Sequence, residues 1–109
     1  MERRIPAAIA LATLGVALVL STTAHAAVTS NLHVKRVKTY NGGTIHVTFD
    51  RAVCGSQTWA KISPSDVGIE RMLNVAIAAR LSGIAVDVDV IDSGGGGANC
   101  ALQYIQLQE

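Results

Sequence analysis

The chain is short of the residues that usually mark a catalytic or cofactor site. Aromatic residues make up 4% of it, charged residues 16%, and it has two cysteines. No CxxC, HxH or HExxH spacing is present, which argues against the common zinc sites. No GxSxG elbow occurs, and the glycine run at 94–97 is not followed by Gly-Lys-Ser/Thr, so it is not a phosphate loop. The sequence therefore predicts a protein that is not an enzyme, with no catalytic residue, metal or cofactor.

The first 26 residues have the three-part form of a secretory signal peptide. Arg3 and Arg4 precede an apolar run from 5 to 20, and Ala24-His25-Ala26 has the small-x-small pattern of a cleavage site. That run is short of the roughly 20 residues that cross a bilayer. We therefore predict cleavage after Ala26 and an exported protein, periplasmic or secreted, with no membrane span after cleavage.

Residues 27–109 form one small predicted domain with balanced charge. Removing Glu2, Arg3 and Arg4 from nine Lys and Arg and eight Asp and Glu leaves seven of each. A neutral surface attracts nucleic acid weakly, so we expect no nucleic-acid partner. The small basic cluster Lys35, Arg36 and Lys38 is interpreted as the solvated face of a strand.

Cys54 and Cys100 are predicted to form a disulfide. A small domain in an oxidising compartment often needs a covalent crosslink, and two cysteines allow one intramolecular pairing. Closing a loop of about 46 residues would stabilise the fold by roughly 4 kcal/mol in the chain-entropy account. A two-cysteine metal site is the alternative, but no third ligand lies nearby in the sequence.

Hydrophobic periodicity predicts five strands and one helix. Residues 27–30 are expected to be a loose tail. The predicted strands cover 31–40, 44–49, 57–62, 84–91 and 100–108, with a bulge or bend at Lys35-Arg36, a hairpin turn at Asn41-Gly42-Gly43 and a flexible loop at 93–99. Three strands, a helix and two strands is the element order of an OB-fold, a β-rich α+β barrel whose helix lies between strands 3 and 4. A plain sheet covered by a helix on one face has the same order.

The helix is predicted to begin near Ser63-Pro64-Ser65-Asp66 and to end at Gly83. Its core stripe is expected at helical spacing, namely at Ile69, Met72, Leu73, Ala76, Ile77 and Leu81. Much of the remaining surface is apolar too, and we predict a self-association face at Val75, Ala78 and Ala79. The alternative is that the alanines favour helix and simply face water.

Three groups of side chains are candidate sites. His33 and His46 could meet across a hairpin and bind zinc with a carboxylate, although exposed strand histidines are the simpler interpretation. Asp87 and Asp89 project from one side of a strand. They could act as an acid/base pair or bind calcium, or they could simply be the solvent-exposed residues of an alternating strand. Trp59 could be a binding platform for a sugar or protein, or it could fill the core.

Taken together, these features resemble the small secreted OB-fold subunits of bacterial AB5 toxins, especially the subtilase cytotoxin binding subunit and its pertussis-like relatives. The resemblance rests on Cys54 followed by Trp59, the helix with Met72-Leu73, Ser82-Gly83 before a valine-rich strand, and Cys100 before the last strand. It implies ring-shaped pentamers, helices around a central pore and glycan recognition on the outer surface. This chain is shorter and poor in the aromatic and polar residues of such glycan sites, so no glycan-binding residue is transferred.

The sequence therefore predicts a non-enzymatic binding domain, a glycan- or protein-binding subunit that self-associates as a homo-oligomer. The alternative, from a different class, is a structural or envelope-associated periplasmic protein without a ligand pocket.

Overall fold

A computed structural model describes residues 25–108 of the chain. The predicted signal peptide lies outside the described residues except for His25 and Ala26, which begin the first strand. Within 25–108, none of the helices combines the length and apolarity that crossing a bilayer requires.

Six strands and one helix make up this part of the chain. The strands are β1 (His25–Leu32), β2 (Val34–Thr39), β3 (Ile45–Phe49), β4 (Trp59–Ile62), β5 (Val86–Asp92) and β6 (Cys100–Leu107). Helix α1 (Ile69–Ser82) follows β4, and a short 3₁₀ turn (Gly97–Asn99) precedes β6. The strands form one sheet in the order β1-β5-β6-β4-β3-β2, antiparallel except for β4 with β6. The β-rich α+β class with one helix is confirmed.

The structure differs from the predicted five-stranded OB-like barrel in three respects. The sheet has six strands, the helix follows the fourth strand, and the hydrogen-bonded ladder does not close, because β1 and β2 are its two edges. The cause is a break inside the predicted strand 31–40. Asn31 has a positive φ of 61°, and His33 separates β1 from β2. Residues 27–30, predicted to be a loose tail, instead belong to β1 and pair with β5.

Several local predictions are confirmed. The pairing of β2 with β3 shifts register between Val34 and Arg36, which is the bulge expected near Lys35. The turn at Asn41-Gly42-Gly43 links β2 and β3, with Gly43 at φ 94°. Helix α1 ends at Gly83, which adopts φ 76° and donates its N–H to the Ala79 carbonyl at 2.9 Å. A left-handed residue of this kind ends a helix at little cost only when it is glycine.

The helix begins later than predicted. Ser63 to Asp66 forms a turn closed by the Asp66 N–H on the Ser63 carbonyl, and the Asp66 carboxylate accepts the Gly68 N–H at 3.2 Å. Gly68 is then the N-cap, without a side-chain cap of its own. Ser63 and Ser65, at which the helix was predicted to begin, therefore belong to the preceding turn.

The buried face of α1 matches the predicted stripe in part, since Met72 and Ala76 are buried and Ile69 and Leu73 pack against the core. Met72, Ala76 and Ala79 are buried, whereas Leu81 is 81% exposed and Ile77 40% exposed. The predicted self-association face must also be corrected, since Ala79 is 1% exposed and packs inside. Val75 is half-buried against the core and Ala78 is exposed. Helix α1 contacts β2 and β6, and this contact selects the 72–76–79 face.

The core lies between the inner face of the sheet and α1, and it is almost wholly aliphatic. Its largest fully buried side chains are Phe49, Leu32, Ile62, Leu102, Val47, Val86, Val88 and Val90. Cys54 and Cys100 form the predicted disulfide, with their Cα atoms 6.4 Å apart. Both sulfurs belong to buried residues, so the crosslink ties the loop after β3 to the start of β6 inside the core.

Candidate functional site

The outer surface of β2, β3 and β4 carries the best candidate for a functional site. Strict alternation in β3 buries Ile45, Val47 and Phe49 and leaves His46 and Thr48 outside. In β4, Ala60 and Ile62 are buried, so Trp59 and Lys61 share that outer side. A strand with one face in the core places its other side chains in a row on the opposite face.

Strand register sets these outer residues in two cross-strand rows. Thr48 pairs with Arg36 on one side and Trp59 on the other. His46 pairs in the same way with Lys38 and Lys61. Together with Tyr40, which follows β2, these residues form what we call the aromatic–basic face: Arg36, Lys38, Tyr40, His46, Thr48, Trp59 and Lys61.

A shallow depression of about 300 Å³ lies on this face, lined by all of its members except Lys61. Three rings cross it diagonally. The rings of His46 and Trp59 are stacked, 4.2 Å between centroids and 21° between planes. The Tyr40 ring meets the His46 ring edge-on, with 4.8 Å between their centroids. The rings therefore form a continuous strip from β2 to β4 at the surface of the sheet.

Cations border the aromatic strip. The ammonium of Lys38 lies 5.1 Å from the centroid of the Tyr40 ring, within cation–π range. Partial burial lowers the pKa of His46 below its ordinary value, and the neighbouring charges of Lys38 and Lys61 lower it further. The imidazole is therefore neutral at neutral pH, and the arrangement offers stacking surface, a Thr48 hydroxyl and fixed positive charge.

This geometry settles alternatives that the sequence left open. Trp59 is half-buried on the outer face and does not fill the core. A binding platform must be accessible in this way. Two members of the basic cluster, Arg36 and Lys38, belong to the face, while Lys35 lies at the bulge. The sequence analysis missed the membership of Tyr40 in this face. Tyr40 ends the predicted strand 31–40, and the bulge near Lys35 interrupts the alternation that would have assigned it to one side of the sheet.

His33 and His46 do not meet. His33 lies at the break between β1 and β2, where its Nδ1 is 3.1 Å from the Asp50 carboxylate. The same carboxylate accepts the His33 backbone N–H at 2.9 Å, which lowers the pKa of Asp50. Within residues 25–108, no group of three or more His, Cys, Asp or Glu side chains is placed to hold a metal ion.

No protein family matches this chain, and no curated protein matches it. The resemblance to toxin binding subunits is therefore carried by the sequence features alone.

The carboxylates of β5 have structural surroundings. Asp87 accepts hydrogen bonds from the Asn31 backbone N–H at 3.1 Å and from Gln108 Nε2 at 2.7 Å, and these bonds lower its pKa. It therefore joins the end of β1 to the end of β6. Asp89 is half-buried, and within the described part of the chain its Oδ1 has no hydrogen-bond partner.

Two further cavities adjoin one another near the disulfide. The larger, about 360 Å³, is lined by Ala27, Val53, Cys54, Gly55, Val90 and Asp92. The second, about 280 Å³, is bordered by the glycine loop. That loop is hydrogen-bonded rather than loose, since Asp92 Oδ1 accepts the N–H groups of Gly94 and Gly96 and Gln57 Oε1 accepts that of Gly97. Neither cavity has an aromatic or cationic lining residue.

Proposed function

We propose that the chain is an exported, non-enzymatic binding domain and that its ligand is a saccharide held on the aromatic–basic face. The observation that carries the proposal is the Tyr40–His46–Trp59 strip beside three cations. The chain has only four aromatic residues, and two of them are in this strip. Aromatic side chains present an apolar ring and a polar edge, which suits a ligand that is apolar on one side and hydroxylated on the other.

The sheet order supports an OB-like interpretation of the fold. β1 and β2 are consecutive in the chain and separated only by His33, so we interpret them as two halves of one bent strand. Counted in this way, the domain has five strands with the helix between the third and fourth. OB-folds are partly open barrels, and their second and third strands bind oligosaccharides and oligonucleotides. Those strands here are β3 and β4, which carry His46 and Trp59.

Export and subunit character complete the proposal. A buried disulfide is typical of proteins that fold in an oxidising compartment, which agrees with the signal-peptide pattern. We further propose that the domain is a homo-oligomeric subunit of the kind the toxin resemblance implies. Exposed apolar residues on and beside α1, namely Val67, Ile77, Leu81 and Ile84, support self-association on that side of the molecule.

Trp59 provides the test, because it is the only tryptophan in the chain and its fluorescence reports directly on the face. We expect a saccharide identified on a glycan array to change Trp59 emission in solution. Trp59→Ala should weaken binding about fivefold to tenfold on the array, since one good aromatic contact contributes roughly 1–1.5 kcal/mol.

Tyr104→Ala is the matched control, because Tyr104 is an exposed aromatic residue on β6 and is not part of the face. Equal binding by wild type and Trp59→Ala would contradict the proposal.

A single-stranded oligonucleotide belongs in the same assay. The expectation of no nucleic-acid partner rested on net charge, whereas three cations are concentrated on one face, and an oligonucleotide that outcompetes every saccharide would contradict the proposed ligand class.

A further inference from the structure

Lys38, His46 and Lys61 form a row of three nitrogen bases across three neighbouring strands. His46 is directly paired with Lys38 of β2 and Lys61 of β4. Side chains in such pairs have Cβ atoms about 4.5–5.5 Å apart, and like charges placed opposite one another destabilise a sheet. Arg36 adds a fourth basic group on the same face, one row away.

No carboxylate in residues 25–108 compensates this row. The acidic side chains of that part lie on β5, around the start of α1 and beside His33, namely Asp87, Asp89, Asp92, Asp66, Glu70 and Asp50. Because the whole domain has as many acidic as basic residues, the absence of acid from this face is a matter of distribution. An uncompensated cluster of this kind is stabilised when an anion binds to it.

His46 is the member of the row whose charge can change near neutral pH. The groups facing it are Lys38, Arg36 and Tyr40 from the β2 side and Lys61 and Trp59 from β4. Its Nδ1 lies 3.4 Å from the Tyr40 hydroxyl, and its ring is stacked on Trp59. The two lysines disfavour its protonation, so an anion that offsets their charge would favour it.

Building on the face chosen under the proposed function, we propose that the basic row binds an oxyanion of the ligand, carboxylate, sulfate or phosphate, and that His46 takes up a proton from solvent as the oxyanion binds. The proton adds a positive charge beside the anion, and the ring keeps its place between Tyr40 and Trp59. Binding and protonation are reciprocally linked, so affinity must rise as pH falls. If the anion raises the pKa of His46 by about one unit, affinity at low pH is about tenfold higher than at high pH.

The test uses inorganic sulfate first and sulfated and neutral oligosaccharides second. The histidine ring protons are followed by NMR across pH in sulfate and in chloride at equal ionic strength. We expect sulfate to raise the pKa of His46, with His33 as an internal reference away from the face. Trp59 fluorescence should then show a sulfated oligosaccharide binding about threefold to tenfold more tightly near pH 5.5 than near pH 8.

Variants separate site-specific binding from general attraction. His46→Gln removes one ring of the strip and should weaken binding at both pH values, but the affinity that remains should no longer depend on pH. Lys38→Gln or Lys61→Gln should weaken binding at every pH and leave affinity rising as pH falls. Arg71→Gln removes one positive charge from the exposed side of α1 and serves as the matched control. Equal weakening by Arg71→Gln would overturn the proposal, as would a His46 pKa that is the same in sulfate and chloride.

The remaining outcomes distinguish this inference from the proposed function. If a neutral oligosaccharide changes Trp59 emission equally at pH 5.5 and pH 8, the result supports the saccharide site and contradicts oxyanion binding by the basic row. If sulfate changes the pKa of His46 but no saccharide binds, the result supports the oxyanion site and contradicts the proposed saccharide ligand.

Discussion

His46 illustrates how three strands can alter the chemistry of one side chain. Partial burial lowers its pKa, and the neighbouring charges of Lys38 and Lys61 lower it further, so the folded protein resists protonating it more than the unfolded chain does. The unfolded state therefore binds more protons near pH 6. The contribution of the neutral His46 ring to stability is fully present above the ordinary histidine pKa of 6.5. It is lost as pH falls through the lowered pKa of the folded state.

We accordingly expect the free energy of unfolding to fall between about pH 7 and pH 5, measured by urea denaturation in a buffer without oxyanions. His46→Gln should flatten this part of the pH dependence. Asp50, whose pKa is also lowered, acts in a separate window below its ordinary value of 3.8. An unchanged slope in His46→Gln would show that His46 is not the responsible group.

At the residue scale, sequence reasoning placed single side chains but not their contacts. The interpretation of His46 as an exposed strand histidine is confirmed, because the alternation in β3 places it outside the core. Trp59 stayed undecided because β4 is only four residues long and polar residues precede it. The ring strip depends on the register of three strands, which no single strand specifies.

At the scale of elements, helix α1 shows why an apolar pattern can mislead. Apolar residues cover so much of its circumference that spacing alone favours more than one buried stripe. The docking against β2 and β6 chose Met72, Ala76 and Ala79 and left Leu81 in solvent.

Two substitutions in α1 test this assignment. Met72→Ala should lower the free energy of unfolding by about 2–4 kcal/mol because it opens a cavity in the core. Leu81→Ala should change it by less than about 0.5 kcal/mol. Leu81→Glu should likewise leave stability intact while shifting the sedimentation of the domain toward smaller species, if the exposed side of α1 mediates self-association.

The helix assignment fails if Leu81→Ala destabilises the domain as much as Met72→Ala does. A wild type that stays monomeric at tens of micromolar contradicts the proposed homo-oligomer and leaves the binding face untouched.

The break at His33 was hidden for a different reason. Asparagine adopts positive φ more readily than most residues, but the apolar residues that follow Asn31 favour an extended strand, and one asparagine does not by itself indicate a break. The bend is held by tertiary contacts, since the Arg51 guanidinium donates to the carbonyls of Ser30 and Asn31. The position of the break between β1 and β2 thus depends on Arg51, which is 20 positions from Asn31 in the chain.

At the scale of the whole molecule, the disulfide is a covalent crosslink in the small core between residues 46 positions apart in the chain. Cys54→Ser with Cys100→Ser should lower the free energy of unfolding by roughly 2–5 kcal/mol, measured by chemical denaturation. Because both cysteines are in the disulfide, a thiol reagent should find no free thiol in the unfolded, unreduced protein. Two titrating thiols in that sample would contradict the crosslink.

Net charge also misleads at this scale. A neutral total predicted a surface without electrostatic preference, yet the basic residues of β2 and β4 lie apart from the acidic residues of β5. Composition records how many charges a chain has, and only the sheet order determines which of them share a face.

The most direct test of the account is an NMR map of where a bound saccharide touches the domain. Backbone amide spectra are recorded while the strongest ligand from the glycan array is added to the isotopically labelled protein. The account predicts that the largest shifts fall on Lys38, His46, Trp59 and Lys61, with the exposed side of α1 unchanged. Largest shifts at Val53, Cys54 and Asp92, around the disulfide cavities, with the aromatic–basic face unaffected, would contradict it.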